Sequence, residues 1–505
     1  MATKARPNLL FITLDQWRGD GLQHLGHPFL RTPVLSALAA RGVTFAAHFG
    51  QSTPCAPSRA SMFTSRYLHG HRVYTNQTPL DAHLRTMPFH LRALGYEPFL
   101  AGYTSTMWPR EGASPADPQV NGPKVGPGWS VLREMDAGKR HYLAYLNRLG
   151  YGRVDSFARI FDRVQRRDGI VPSSPIDEAH SETAWIVDAA AEFIAYGRDE
   201  PWALHVSIFK PHPPCYPSTR WAEAVRDRAG VPPTRTLADG EAIADHPFMR
   251  YAARRIRGDY LWNDLTGLAS DLPAATVETI RRAYWAVCEE VDAQVGRLLA
   301  ALDASGQRDD TLIVLTSDHA EMLGDHRSFG KYTIFPESFH IPLIVVDPAP
   351  DCDATRGRVV RDVSEGVDIL PTIMACVGGA EDPLWEGRSL RPYLLGDAVP
   401  GPKTTAFYDY DFRFDPDPTL GDLARLPADA RSVSVALGER YLVACFPMLE
   451  PIVFERHGAG FDFAVARGAS RDEGLADGTQ ALLRNRLRLV GEPLRVPLSG
   501  SMAPR

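Results

Sequence analysis

Cysteine is scarce in this sequence, since its 505 residues contain only six, all far apart. Their spacing matches neither a disulfide framework nor a structural zinc site. No apolar run approaches the length of a membrane-spanning helix, and the first apolar run, "NLLFITL", is too short for a signal peptide. The sequence therefore predicts a reduced, cytoplasmic protein without a membrane partner.

An excess of basic residues is also missing, because the formal net charge is −6 and is spread along the chain. This balance gives no support for a nucleic-acid partner, although local positive charge could still serve a small anionic substrate. The hydrophobic content of 44% is typical of a soluble globular protein. The chain is longer than one ordinary core requires, which predicts two domains or one large domain with a smaller one.

The order of the predicted elements indicates the fold class. Strands alternate with helices through residues 1–400, which predicts an α/β domain with a mostly parallel sheet flanked by helices. The runs "TLIVLTS" and "IPLIVVD" are continuously apolar, as parallel strands buried on both faces require. Stretches at about residues 110–175 and 213–272 are predicted as irregular insertions. Residues 401–505 are strand-rich with a final helix near 478–490, which predicts a smaller C-terminal α+β domain.

Polar residues follow several of the predicted strands at their carboxyl ends, where active sites lie in open α/β sheets. These groups are Asp15-Gln16, Tyr103-Thr104-Ser105, Lys210 with His212, and Asp318-His319. One such ending is ordinary. Four of them, on strands that are distant in sequence, predict one shared pocket.

Two of these dipeptides have the chemistry of a metal site. Asp15, Gln16, Asp318 and His319 offer carboxylate, amide and imidazole ligands, which suit Ca²⁺, Mg²⁺ or Mn²⁺, and the histidine favours Mn²⁺. The alternative is that each aspartate only caps the helix after its strand.

Cys55 stands in "TPCAPSR", just before a helix predicted to begin at Pro57. A helix N-terminus favours an anion, and Arg59, about one turn into the helix, could reach the same anion. A lone cysteine is ordinarily a small buried apolar residue. A thiolate nucleophile is a second alternative, although a hard cation prefers oxygen.

"CAPSR" in this position resembles the C-x-P-S-R signature of the type I (formylglycine) sulfatases, a branch of the alkaline phosphatase superfamily. The resemblance continues through "NLLFITLDQWRGD", "FKPHPP", "TSDHAEMLGDH" and "FGKY". Asp-Gln and Asp-His stand where most sulfatases have Asp-Asp and Asp-Asn, and "GYTSTMWPR" lacks the lysine and histidine of the sulfatase "GKWH" segment. Both departures are similar to the phosphonate monoester hydrolases and their related arylsulfatases. Ser105 stands where those enzymes usually have threonine.

This resemblance implies the cofactors. Cys55 would be oxidised to formylglycine by a formylglycine-generating enzyme, and the hydrate of that aldehyde would be an oxygen nucleophile whose second hydroxyl permits product release. One divalent metal, Mn²⁺ or Ca²⁺, would be held by residue 55 together with Asp15, Gln16, Asp318 and His319.

The resemblance also implies roles for other residues. Arg59 would stabilise the hydrate, while His212 and Lys331 would neutralise or protonate the leaving oxygen. The substrate would be bound by Asn76, Tyr103 and Ser105. The alternatives are that Lys331 is a solvated surface lysine, that His212 is a loop residue fixed by its prolines, and that Asn76 only shapes a turn.

The implied function is promiscuous hydrolysis of sulfate monoesters, phosphonate monoesters and phosphodiesters by a homo-oligomer, a dimer or tetramer. A dedicated arylsulfatase is the nearest alternative. A phosphatase or phosphomutase is disfavoured because that branch places Ser or Thr where Cys55 stands. A non-catalytic binding module is disfavoured because the motif residues are complete.

Overall fold

The structure is a computed structural model that describes residues 6–491 apart from 107–124, 137, 153–155, 165, 168, 198–199, 238–240, 416 and 458–459. Its strands are β1 (Asn8–Leu14), β2 (Val43–Phe45), β3 (His48–Phe49), β4 (Pro98–Gly102), β5 (Ser130–Glu134), β6 (Ala203–Ile208), β7 (Thr311–Thr316), β8 (His340–Ile341), β9 (Leu343–Val346), β10 (Val359–Val360), β11 (Ser364–Glu365), β12 (Ala406–Asp411), β13 (Ser432–Leu437), β14 (Tyr441–Cys445), β15 (Ile452–His457) and β16 (Asp462–Val465).

Its α-helices are α1 (Pro33–Ala40), α2 (Cys55–Thr64), α3 (Leu68–His71), α4 (Met87–Ala93), α5 (Arg140–Arg148), α6 (Glu182–Tyr196), α7 (Thr219–Ala224), α8 (Glu241–Ala244), α9 (Pro247–Arg254), α10 (Ala274–Ala304), α11 (Ile369–Cys376), α12 (Arg391–Leu395), α13 (Asp417–Leu420) and α14 (Gly468–Gly491). Among the residues described, none of these helices is both long and apolar enough to span a bilayer.

The main sheet confirms the predicted fold class. Its strand order is β10-β2-β9-β7-β1-β6-β4-β5, and the central strand β1 pairs in parallel with both β6 and β7. Successive residues of β1 face opposite sides of the sheet. Leu10 and Ile12 belong to the core shared with α6 and α10, whereas Leu9 and Phe11 belong to the core shared with α2 and α11. Helices therefore cover both faces.

The prediction that "IPLIVVD" is a parallel strand was wrong. This segment forms β9, which pairs antiparallel with both β7 and β2. No α-helix lies between β7 and β9, so the chain returns at the same end of the sheet and runs in the opposite direction. All four residues of β9 are buried. A continuous apolar run indicates a strand that is buried on both faces. It does not indicate whether that strand runs parallel or antiparallel to its neighbours.

The predicted insertions contain regular elements. Residues 110–124 lie outside the described part of the chain, but β5 and α5 follow them, and β5 pairs in parallel with β4. The second stretch contains α7, α8 and α9. The prediction of irregular structure was wrong there because these helices are only four to eight residues long, too short to stand out in the sequence.

The C-terminal region is an antiparallel sheet, β12 to β16 in sequence order, with α14 packed on it. The helix begins ten residues earlier than the sequence predicted. Gly474 and Gly478, which disfavour a helix in sequence, lie against Tyr441 and Val443, where an added Cβ would approach within 2.7 and 2.3 Å. Close packing of the helix on the sheet therefore explains both glycines.

Candidate active site

The carboxyl ends of β1 and β7 bring two acidic dipeptides together. Asp15 and Asp318 are fully buried, and the Gln16 N–H donates to Oδ1 of Asp318 at 3.2 Å. Gln16 has a φ of +70°, a left-handed conformation that a non-glycine residue rarely adopts. Because β1 and β7 are neighbours, the sheet itself positions these residues on one edge.

Cys55 lies beside them as the first residue of α2, so the prediction that this helix begins at Pro57 was wrong. The backbone is already helical at position 55, and Pro54 takes the capping position. Sγ of Cys55 lies 3.2 Å from Nε2 of His319, 3.4 Å from Nζ of Lys331 and 3.9 Å from Oδ1 of Asp15. All ten residues of α2 are buried, which fixes Sγ in this position.

The acidic pair, His319 and Cys55 fit a divalent cation. One ligand atom from each of Asp15, Cys55, Asp318 and His319 lies within 4.8 Å of the others, and all four residues are buried. Burial lowers the pKa of His319 to about 4, so its imidazole is neutral near pH 7, as metal ligation requires. Two carboxylates and an imidazole suit Mn²⁺ or Ca²⁺.

Gln16, the remaining predicted ligand, has its amide held between two other side chains. Its Oε1 accepts a hydrogen bond from Nζ of Lys331 at 3.0 Å, and its Nε2 donates to Glu321. Glu321 is itself fixed by the backbone N–H groups of Leu323 and Gly330. The amide oxygen is thereby oriented toward Lys331.

Arg59 connects the two carboxylates from inside the protein. Its Nε donates to Oδ2 of Asp318 at 2.8 Å, and its Nη2 lies 3.4 Å from Oδ2 of Asp15. Burial alone would raise the pKa of Asp318, but His319 and Arg59 bring it below its usual range. The carboxylate therefore stays ionised and available to a cation.

The electrostatics of Cys55 disfavour the thiolate alternative. Burial and the Asp15 carboxylate raise the pKa of the Cys55 thiol to about 12. A cysteine nucleophile needs a lowered pKa instead. The unmodified side chain is thus a neutral thiol at physiological pH.

Two predicted substrate-binding residues join the cluster. The Tyr103 hydroxyl donates to Oδ2 of Asp15 and accepts from Nη2 of Arg59 at 3.1 Å. Oδ1 of Asn76 accepts from the backbone N–H of Ala56 at 2.9 Å, so it lies at the start of α2. Ser105 is buried with a φ of +57°. Within the described chain, its hydroxyl has no hydrogen bond to the cluster.

His212 lies at the edge of the cluster with one ring nitrogen available. Its Nδ1 is 2.7 Å from the carbonyl oxygen of Pro213, which can only accept, so Nδ1 carries the proton. Nε2 lies 3.5 Å from the Tyr260 hydroxyl. Burial and Lys331 lower the pKa of His212 well below its ordinary value. The ring is therefore neutral when no anion is bound nearby.

The structure adds three residues that the sequence analysis did not assign. The Tyr260 hydroxyl lies within 3.3 Å of the Gln16 amide, Glu321 orients that amide, and Oγ of Ser207 accepts from Arg59 at 2.7 Å. Tyr260 belongs to a stretch without clear periodicity, and Ser207 lies inside β6, where only the strand register could indicate its neighbours.

This fold, with an acid–imidazole cluster at the strand ends and a cysteine at a helix start, defines a sulfatase-type member of the alkaline phosphatase superfamily. The chain belongs to the sulfatase family, whose family model matches residues 7–380. The resemblance drawn from the sequence is confirmed. Membership implies a metal ion and a formylglycine residue, and the site described above fits both.

Named relatives cover most of the chain. It is 32% identical over 478 residues to the multifunctional alkaline phosphatase superfamily protein PehA of Trinickia caryophylli, covering 92% of this chain and 91% of that protein. It is 25% identical to an arylsulfatase of Clostridium perfringens, covering 77% and 78%. The structure is similar to the phosphonate monoester hydrolase of Agrobacterium radiobacter, with a TM-score of 0.88, 32% identity and 96% of both chains covered.

Proposed function

We propose that this protein hydrolyses sulfate monoesters, phosphonate monoesters and phosphodiesters at one site, with formylglycine formed from Cys55 as the nucleophile. The observation that carries the proposal is the position of Cys55 Sγ, 3.2 Å from His319 Nε2 and 3.4 Å from Lys331 Nζ. The relatives named as an arylsulfatase and as a phosphonate monoester hydrolase support both ester classes.

Residue 55, Asp15, Asp318 and His319, with Gln16 beside them, would hold one Mn²⁺ or Ca²⁺ ion. The ion supplies Lewis-acid polarisation of the ester oxygens. Formylglycine supplies an oxygen nucleophile through its hydrate. The positive ion would also keep both buried carboxylates ionised. Without it, burial and the nearby Asp318 raise the pKa of Asp15.

Lys331 and His212 serve the leaving oxygen in this proposal. The Lys331 ammonium group is buried next to position 55, where it can stabilise developing negative charge. The open Nε2 of His212 gains a proton more readily when an anionic ester offsets the effect of Lys331 on its pKa. A positioned acid of this kind contributes about 10²–10⁴-fold to rate.

The balance of charge favours singly charged esters. Arg59 is occupied by Asp318 and Asp15, which leaves Lys331 as the cation nearest to position 55 among the described side chains. Asn76 and Tyr103 are neutral. A dianionic phosphate monoester therefore gains less stabilisation than a sulfate, a phosphonate monoester or a phosphodiester, and each kcal/mol is worth about fivefold in rate.

Comparison of kcat/KM for four 4-nitrophenyl esters tests the proposal: the sulfate, the phenylphosphonate, a phosphodiester and the phosphate. We expect the first three to be cleaved and the phosphate to be the poorest. Sulfate as the only substrate would establish a dedicated arylsulfatase, and phosphate as the best would establish a phosphatase. No turnover by metal-loaded, formylglycine-containing protein would establish a binding module.

We also propose that the protein matures through a formylglycine-generating enzyme, works in the cytoplasm and forms a dimer or tetramer. The five cysteines other than Cys55 are not paired in disulfides, which supports a reducing compartment. Light scattering of the purified protein tests the oligomer, and fractionation of the source cells tests the location.

A further inference from the structure

A hollow of about 540 Å³ opens next to the proposed nucleophile. Its inner wall includes Pro54, Asn76 and Tyr332. Pro54 precedes Cys55, Asn76 is hydrogen-bonded to the backbone N–H of Ala56, and Tyr332 follows Lys331. The hollow therefore lies beside the reacting sulfur or phosphorus, and it is much larger than a nitrophenyl ring.

The outer wall is built partly by residues beyond the end of the family-model match. Tyr410 lies in β12, and Phe414 and Asp415 follow that strand, whereas the sulfatase family model ends at residue 380. Arg255 lies directly after α9 and faces the same hollow. The first three of these wall residues therefore lie beyond the region that the family model matches, whereas Arg255 lies within it.

One cation on this wall has an unused donor. Nε and Nη2 of Arg255 donate to the two carboxylate oxygens of Asp415 at 3.0 and 3.3 Å. The guanidinium group stacks 4.4 Å above the Tyr332 ring. Within the described chain, Nη1 has no hydrogen-bond partner, and the Arg255 side chain is 21% exposed. The arginine is therefore held rigidly with one edge free.

The remaining groups exclude a cationic occupant. Asp415 is satisfied by Arg255 and by the Tyr410 hydroxyl, and Asp411 is paired with Arg413 at 2.6 Å. Neither carboxylate is left to attract a cation. The faces of Tyr332 and Tyr74 are already covered by arginines, at 4.4 and 4.7 Å. Among the described residues of this wall, a quaternary ammonium would find no open aromatic cage.

We propose that this hollow binds the leaving group of the ester, and that it selects an aromatic alcohol carrying a carboxylate or similar acceptor, which Nη1 of Arg255 binds. The inference rests on the proposed function, because it assigns the substrate class of the same site. The exposed Phe414 ring offers an aromatic surface to the bound ring, and the arginine edge accounts for the selectivity.

Two chromogenic esters of the same acid test this assignment: the 4-nitrophenyl ester and the ester of 5-hydroxy-2-nitrobenzoate, which adds one carboxylate to the same nitrophenol. We expect the unmodified sequence to prefer the carboxylated ester by about tenfold in kcat/KM. Arg255→Gln should bring the ratio near one. Arg250→Gln is the control, since Arg250 lies on α9 and pairs with Asp422 at 2.8 Å away from the lining of the hollow, and it should keep the preference.

The proposal is overturned by a wild-type ratio of one or less, by a preference that survives in Arg255→Gln, or by an equal loss for both esters, which would mark a structural role. Calorimetric titration of the two free nitrophenols gives a readout without turnover. Selective binding of the carboxylated phenol with no hydrolysis of any ester would refute the proposed function, but it would support the assignment of the hollow as a binding site. Hydrolysis without selective binding would refute only the assignment of the hollow as the leaving-group site.

Discussion

The Lys331 ammonium group donates a hydrogen bond to Sγ of Cys55 at 3.4 Å, although 276 positions separate the two residues. Lys331 is only 2% exposed, which excludes the alternative that it is a solvated surface lysine. Burying an ammonium group is costly unless it is paired, and here Gln16 Oε1 and the nearby Asp15 carboxylate offset the cost. Position 55 is therefore the focus of a buried charge network.

Cys55 is expected to be formylglycine in active protein. Mass spectrometry of the tryptic peptide spanning residues 42–59 should show the aldehyde or its hydrate. Cys55→Ala should lower kcat by at least about 10³-fold, because it removes the nucleophile. Its melting temperature should stay close to that of the unmodified sequence, since only one atom is deleted from a packed helix. Fully active protein with an unmodified thiol would refute the assignment.

Asp318→Ala is expected to remove both metal and activity. The substitution deletes one of two buried carboxylates and leaves Arg59 without its 2.8 Å partner. Elemental analysis should show metal content well below one ion per chain, against about one for the unmodified sequence. Asp309→Ala, at an exposed ion pair, is the control and should retain metal. Full metal content in Asp318→Ala would show that the ligands lie elsewhere.

The candidate metal site was predictable because its residues lie at the carboxyl ends of strands. Asp15 and Asp318 each follow a short apolar run, and parallel neighbours place such residues on one edge. Tyr260 and Arg255 were not predictable, because they reach the site from a stretch whose elements are too short to give periodicity. The start of α14 was missed because Gly474 and Gly478 disfavour a helix in sequence. Their reason, close packing against a sheet, depends on contacts that the sequence does not show.

Stability should fall as pH rises from about 5 to 8, in part through Glu290 on α10. Burial raises the pKa of Glu290 to about 7 from an ordinary 4.5. Between these values the folded protein keeps a proton that the unfolded chain loses, so the free energy of unfolding decreases by about 1–3 kcal/mol across that window. Glu290→Gln should flatten this dependence, measured as melting temperature at pH 5 and 8.

Glu278→Gln is the matched control for this experiment, because Glu278 lies on the same helix with a side chain that is 55% exposed. It should leave the pH dependence unchanged. Equal slopes for Glu290→Gln and the unmodified sequence would show that Glu290 is ionised in the folded protein.

Lys210 is expected to act as a positioning residue for His212. Its Nζ donates to the carbonyl oxygens of His212 and Pro214 at 3.3 and 2.7 Å and pairs with Glu182 at 3.3 Å. Lys210→Met should lower kcat/KM about 10–100-fold for phenyl esters and less for 4-nitrophenyl esters, because a poorer leaving group depends more on protonation. Lys139→Met removes the other partner of Glu182 but leaves the hydrogen bonds from Lys210 to His212 and Pro214 in place, so it should change the leaving-group dependence less. Equal losses for both esters in Lys210→Met would mean that the lysine supports only the fold.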